Sequence, residues 1–165
     1  MTEDQVPDHF VATNSRELKK LEGFIHEEYF DPHEIKYDAS TKVLEIPFER
    51  CNHGRGRRKV KERILWRVHR VPVLQCGLRI SNVENFELDE PNVQGHQSVF
   101  GMKYDYNEYG STISIDVSWP GDFKIQISDL HIEYYEIGFR GIVEITSGFI
   151  PPLFFWDKAP KFLED

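Results

Sequence analysis

The densest run of ionisable side chains is His26-Glu27-Glu28-Tyr29-Phe30-Asp31-Pro32-His33-Glu34. Imidazoles set among carboxylates are the ligand types that hold a divalent metal. The zinc-protease spacing places the second His four residues after the first, and here Phe30 occupies that position. Pro32 stands between His26 and His33, so no single helical face joins them. The run reads as a solvated helix end with a charged turn, and neither a metal nor a cofactor is expected. The alternative is a small enzyme or ligand-binding protein with an acidic, cupped site built on His26, Glu28 and His33.

Nucleophile chemistry finds less support. Gly95-His96-Gln97-Ser98-Val99-Phe100-Gly101 comes nearest to Gly-x-Ser-x-Gly, but its flanking glycines are wrongly spaced for the strained elbow that exposes such a serine. Cys51 lies two residues from His53, which is no evidence of an oriented thiolate pair. Cys51 and Cys76 are the only cysteines, and they read as reduced thiols with Cys76 buried as a small hydrophobe. Carboxylates are abundant enough for a glycosidase pair, but nothing in their spacing argues for one. No catalytic residue is assigned, and the reading leans away from an enzyme.

Between Arg50 and Arg70 the sign of charge reverses. That stretch holds nine Lys and Arg against the single acid Glu62, net +8, while the rest of the chain holds 11 bases and 27 acids, net −16. Such a reversal makes a strongly dipolar surface. Its centre, Gly54-Arg55-Gly56-Arg57-Arg58-Lys59, lacks both the P-loop spacing and the last glycine of the dinucleotide fingerprint. Three readings compete. Arg55, Arg57, Arg58, Lys59 and Lys61 belong to a solvated hairpin loop whose charges face water or the chain's own acids, or they bind an anion or acidic partner, or they contact a nucleic-acid backbone. The net charge of −8 and the lack of an aromatic-basic RNA motif disfavour nucleic acid.

The end of the chain, Phe149-Ile150-Pro151-Pro152-Leu153-Phe154-Phe155-Trp156, is too apolar for a solvated tail. Pro151-Pro152 keeps it from being a central strand. Phe154, Phe155 and Trp156 are predicted to pack on the chain's own sheet, with an interface to a second copy or another protein as the alternative. A monomer or weak homodimer follows.

These groups need elements to position them. Residues 1–13 read as a loose polar lead-in. Asn14 or Ser15 caps a helix, with Glu17 three residues after Asn14 as in a capping box. Leu18, Leu21 and Ile25 share one face of it. Gly23 weakens the middle, so the helix stops there or runs on towards Tyr29, and Asp31-Pro32 ends it in either case. Period two then takes over: Ile35 and Tyr37, then Val43 to Phe48 after a turn, form a hairpin. Cys51 to Lys61 reads as a polar, Gly-rich loop. Ile64 to Val71 is a strand, followed after Pro72 by a second extended stretch reaching Leu88. Gly95 to Ser98 is a further loop. The strongest alternation lies in Ile113, Ile115, Val117 and Trp119, then Phe123, Ile125 and Ile127 across Pro120-Gly121. That is an antiparallel meander with one buried and one wet face. The whole reads as a mainly β (α+β) single domain, 1–165, an antiparallel sheet or sandwich of about seven to nine strands with one N-terminal helix.

A helix, then Phe30-Asp31-Pro32-His33-Glu34-Ile35 leading into a hairpin, then Leu78-Arg79-Ile80-Ser81-Asn82-Val83, resembles small bacterial β-rich domains of unknown function. Some relatives of that type are immunity proteins that neutralise polymorphic toxins. The resemblance implies a non-catalytic protein-interaction domain whose partner is another protein, and it fixes no functional residue. Composition agrees with a soluble, folded, acidic chain: 39% apolar and 29% charged residues, 12 Phe, 7 Tyr and 3 Trp. Met1-Thr2-Glu3-Asp4-Gln5 is acidic where a secretory leader carries basic residues, and no apolar run reaches the roughly 20 residues that span a bilayer. The expectation is a cytoplasmic protein with no membrane partner.

Overall fold

The computed structural model describes residues 7–51, 58–62, 66–88, 97–107, 110–118 and 122–148. Among them are eleven strands and one α-helix, in a mostly antiparallel arrangement, as the sequence predicts for a mainly β fold. In chain order these are β1 (His9–Ala12), α1 (Ser15–Ile25), β2 (Tyr29–Phe30), β3 (Lys36–Asp38), β4 (Val43–Cys51), β5 (Arg58–Glu62), β6 (Trp66–Ile80), β7 (Val83–Leu88), β8 (Gln97–Asn107), β9 (Gly110–Val117), β10 (Asp122–Ile127) and β11 (Ile132–Gly148). No helix among the described residues is long and apolar enough to cross a membrane.

The chain divides into two compact units: a larger one of Val6–Arg50 and Cys76–Ile137, and a smaller one of Met1–Gln5, Cys51–Gln75 and Gly138–Asp165. In the larger unit the helix begins as its cap dictates. Asn14 Oδ1 accepts from the Glu17 N–H at 3.1 Å, and Glu17 reaches back to the N–H of Thr13 at 2.8 Å. Leu18, Leu21 and Ile25 are buried, and the helix runs through Gly23 to Ile25. The strands follow the order β1-β11-β6-β4-β2-β8-β9-β10-β7, with β3 paired to β4. The period-two reading of the meander holds at Ile113, Ile115, Phe123, Ile125 and Ile127, all buried while Lys124 and Gln126 are exposed; Val117 is half-buried, and Trp119 lies outside the described residues. Cross-strand pairs such as Ile125↔Ile113 and Phe123↔Ile115 build that core.

The terminal strand of this order is not left open. The Val83 N–H donates to the carbonyl of Lys42 at 2.9 Å, and the Tyr37 hydroxyl donates to the carbonyl of Val83 at 3.1 Å. Lys42 pairs with Glu84 at 2.9 Å, and the rings of Tyr37 and Phe86 meet edge to face at 5.3 Å. The β3–β4 hairpin therefore reaches the start of β7, where its backbone meets an edge that would otherwise invite another strand.

Four local expectations change, one being that Gln97 and Ser98, read as part of a loop, open β8. His9–Ala12 is not loose lead-in but a strand, in register with Ile132–Tyr135. Pro72 does not divide two strands, because β6 continues through it. The stretch read as a loop from Cys51 to Lys61 contains β5, whose Arg58–Glu62 pairs antiparallel with β6. In the smaller unit β5 and residues 66–75 of β6 lie with residues 138–148 of β11, and Val71, Val73 and Val143 form a small buried cluster against which Cys51 packs.

Candidate protein-binding surface

Two irregularities of the larger unit meet at one place on its outward face. In the β8–β9 ladder Val99 pairs with Val117 and Gly101 with Asp116, so Phe100 is an extra residue in a β-bulge. A bulge re-aims the side chain it carries, and Phe100 is 49% exposed. Gly101 fits the space that remains, since a Cβ there would stand 3.1 Å from Asp116 Oδ2, a carboxylate that pairs with Lys103 at 3.3 Å. Beside the bulge the chain leaving α1 takes a left-handed turn, with Glu27 at φ 63°. A residue with a Cβ adopts that conformation at a cost of roughly 1–2 kcal/mol. Backbone bonds hold it there: the Glu27 N–H donates to the Val99 carbonyl at 2.7 Å, and the Val99 N–H donates to the Glu28 carbonyl at 3.0 Å. The far flank is fixed by Ser118, whose Oγ accepts from the Ser98 N–H at 3.0 Å and donates to Gln97 at 3.2 Å.

The result is an aromatic surface with an acid at its rim. The His26 ring stands 6.4 Å from that of Phe100. Tyr29, 42% exposed, lies opposite Ser98 and Glu49 in register, on the same outward face as Phe100. Glu27 is exposed, and among the described residues its carboxylate has no ion-pair partner. The unit that carries this surface holds 21 acids against 9 bases, net −12, whereas the smaller unit holds 7 acids against 11 bases, net +4.

The residues singled out by sequence fare differently. His26 joins this surface, whereas His33 sits in a short 3₁₀ turn, Pro32–Glu34, where its N–H donates to Asp31 Oδ1 at 2.9 Å. Among the described residues no three His, Cys, Asp or Glu side chains are grouped as metal ligands. Arg58, Lys59 and Lys61 stand on β5, and Arg58 lies directly opposite Arg70, itself paired with Glu144 at 3.3 Å. Arg55 and Arg57, and the aromatic tail with Phe154, Phe155 and Trp156, lie outside the described residues.

The buried thiol is in no position to act as a nucleophile. Cys76 is fully buried, 3.4 Å from the hydroxyl of Tyr134. Burial pushes its thiol up, and the Tyr134 hydrogen bond and the nearby Arg50 only partly offset that. Tyr134 is raised in turn, by burial first and by Cys76 second. Arg50, also buried, is held by Glu136 at 3.2 Å. A thiol with a raised pKa carries little thiolate at neutral pH, so this buried group serves packing.

Phe100 was not singled out by sequence reasoning, although a signal exists. Val99-Phe100-Gly101-Met102 breaks the alternation of β8 with adjacent apolar residues before a glycine, which is how a bulge reads in sequence. Comparison with known proteins finds no matching family model, no matching curated protein and no matching solved structure.

Proposed function

We propose that this chain is a non-catalytic protein-interaction domain acting in the cytoplasm, and that the face around Phe100 is its recognition surface. The observation that carries the reading is the bulge itself. A register-breaking residue that exposes a large aromatic, set against a left-handed Glu27, costs stability and leaves about half of that ring in water. Irregularities of this kind gather where a surface has work to do, and exposed aromatics are the usual anchors of protein interfaces. The raised pKa of the Cys76 thiol supports the non-catalytic side of the reading. An immunity-type role, with a toxin as the partner, is its most specific form and rests on the resemblance of the stretches 30–35 and 78–83.

The test is retention of partner proteins by the immobilised chain. Phe100→Ser and Tyr29→Ser, both at exposed positions, are expected to keep the melting temperature and lose the partner. Retention of the same proteins by both variants would overturn the assignment. A second reading, anion binding through Arg58, Lys59 and Lys61, is favoured by the register that sets Arg58 opposite Arg70 and so gathers bases on one ladder. It is tested by salt-sensitive binding of a polyphosphate chain that is lost when the three are replaced by serine.

A further inference from the structure

We propose that the Phe100 surface receives a cationic side chain, Arg or Lys, from a basic segment of the partner protein; this deepens the interaction reading above and rests on it. The larger unit already contains the arrangement in finished form. Arg79 places its guanidinium over the ring of Tyr135, 5.4 Å from the centroid, and is bonded to Glu45 at 3.0 Å and to Glu133 at 3.3 Å. Aromatic ring and carboxylates together hold one cation there: the ring quadrupole attracts the charge, and the acids neutralise it.

The Phe100 surface supplies the same two components. The rings of Phe100 and Tyr29 are exposed on one face, and Glu27, also exposed, is tied through its backbone to Val99, the neighbour of Phe100. Among the described residues no Lys or Arg lies over either ring, and none pairs with Glu27. A cation brought by another protein would complete the set. Charge points the same way, since 21 acids against 9 bases in this unit attract a basic partner and repel an acidic one during encounter. The bulge lets the ring stay exposed, because alternation counted back from the inward Met102 would turn residue 100 inwards, and the register shift after Val99 cancels that.

The experiment titrates the full chain with short oligo-arginine, oligo-lysine and oligo-glutamate peptides while following backbone amide resonances. The cationic peptides are expected to shift His26 to Tyr29 and Val99 to Gly101 first, more weakly as salt rises, and oligo-glutamate to leave them unmoved. Phe100→Leu keeps an apolar side chain and removes the π face, and it should weaken binding about tenfold, an effect of about 1.4 kcal/mol. Phe100→Trp should restore or strengthen it, and Glu27→Gln should weaken it several-fold. Three results would overturn the proposal: shifts spread evenly over the acidic positions, a Phe100→Leu protein that binds like wild type, or concentration-dependent self-association that vanishes with Phe100→Ser, which would make a second copy the occupant. Should the cationic peptides fail while Phe100→Ser still releases the partner retained by the wild type, the interaction reading stands and only the cationic partner is wrong. Should neither respond, both fall.

Discussion

The ring of Tyr135 lies across Gly77, so close that a Cβ at Gly77 would stand 2.5 Å from its Cζ. Arg79, two residues further along β6, covers the same ring. A glycine in a strand loses side-chain packing, and a cross-strand aromatic restores it by shielding the bare backbone. The pair therefore acts as one unit, and Gly77→Ala should displace the ring and break its contact with Arg79. The expected loss is about 1–3 kcal/mol, in the range of overpacking a settled site. In a Tyr135→Ser background the same substitution should cost much less. A urea-unfolding double-mutant cycle measures the difference, and additive costs would show the two residues to be independent.

Glu133 links β11 to the strand at the sheet's end. Its Oε1 lies 2.7 Å from His9 Nε2 on β1, and Arg79 approaches its other oxygen at 3.3 Å. The hydrogen bond from His9, aided by Arg79 and opposed by burial, holds the carboxyl below its ordinary value of 4.5. A carboxylate depressed in the folded state contributes stability above its unfolded pKa and loses it as pH falls through the folded one. Wild-type protein should accordingly lose stability below about pH 4.5 more steeply than Glu133→Gln. At neutral pH the variant should be the less stable of the two. Parallel acid-denaturation slopes for both proteins would contradict this linkage.

What the sequence makes legible is what short-range rules govern. The helix could be read because Asn14, Glu17 and the Leu18-Leu21-Ile25 stripe lie within a few turns of one another. The meander could be read because the turns between neighbouring strands are short, so alternation in 111–127 fixes which side chains go inside. Two kinds of feature escape such rules. One is pairing at long range: His9–Ala12 is a strand only because residues 132–135 are there to receive it. Arg58–Glu62 is another, since its charges suggest a solvated loop until β6 supplies a ladder. The other is irregularity. Counted from Val99 the alternation of β8 sends Phe100 outwards and counted from Met102 it sends it inwards, and only the register of β9, which skips one residue there, resolves the two. The surface proposed for recognition is thus the part that local periodicity describes least well.

The two thiols should differ sharply in reactivity. Cys51 is half-buried against Val71, Val73 and Val143, whereas Cys76 is fully buried with its thiol raised by burial. Reaction needs thiolate and access together, and Cys76 has little of either. An alkylating reagent at neutral pH should modify Cys51 first and leave Cys76 until the protein unfolds. Cys51→Ser should therefore behave as an inert protein whose labelling begins at the denaturant midpoint. Fast labelling of Cys76 in the native Cys51→Ser protein would mean that the Tyr134 contact opens readily, and the packing role given to this thiol would fail.

Arg58 stands directly across the ladder from Arg70, in a segment where Lys59 faces His69 and Glu62 faces Arg67. Like charges in opposed positions repel, and cross-strand pairs are worth roughly 0.2–1 kcal/mol in either direction. Glu144 offsets part of this by pairing with Arg70 at 3.3 Å, but both side chains are well exposed and such a pair contributes little. Arg58→Thr removes one of two like charges opposed in register and adds a residue that favours strands. The expected result is a gain of a few tenths of a kcal/mol at low salt that shrinks as salt screens the wild-type repulsion. Arg70→Thr should gain less, because it also gives up Glu144. Unfolding curves at two salt concentrations separate these outcomes. A clear loss of stability in Arg58→Thr at low salt would mean that Arg58 is held by an acid rather than repelled by Arg70, and the like-charge account of β5 would have to be given up.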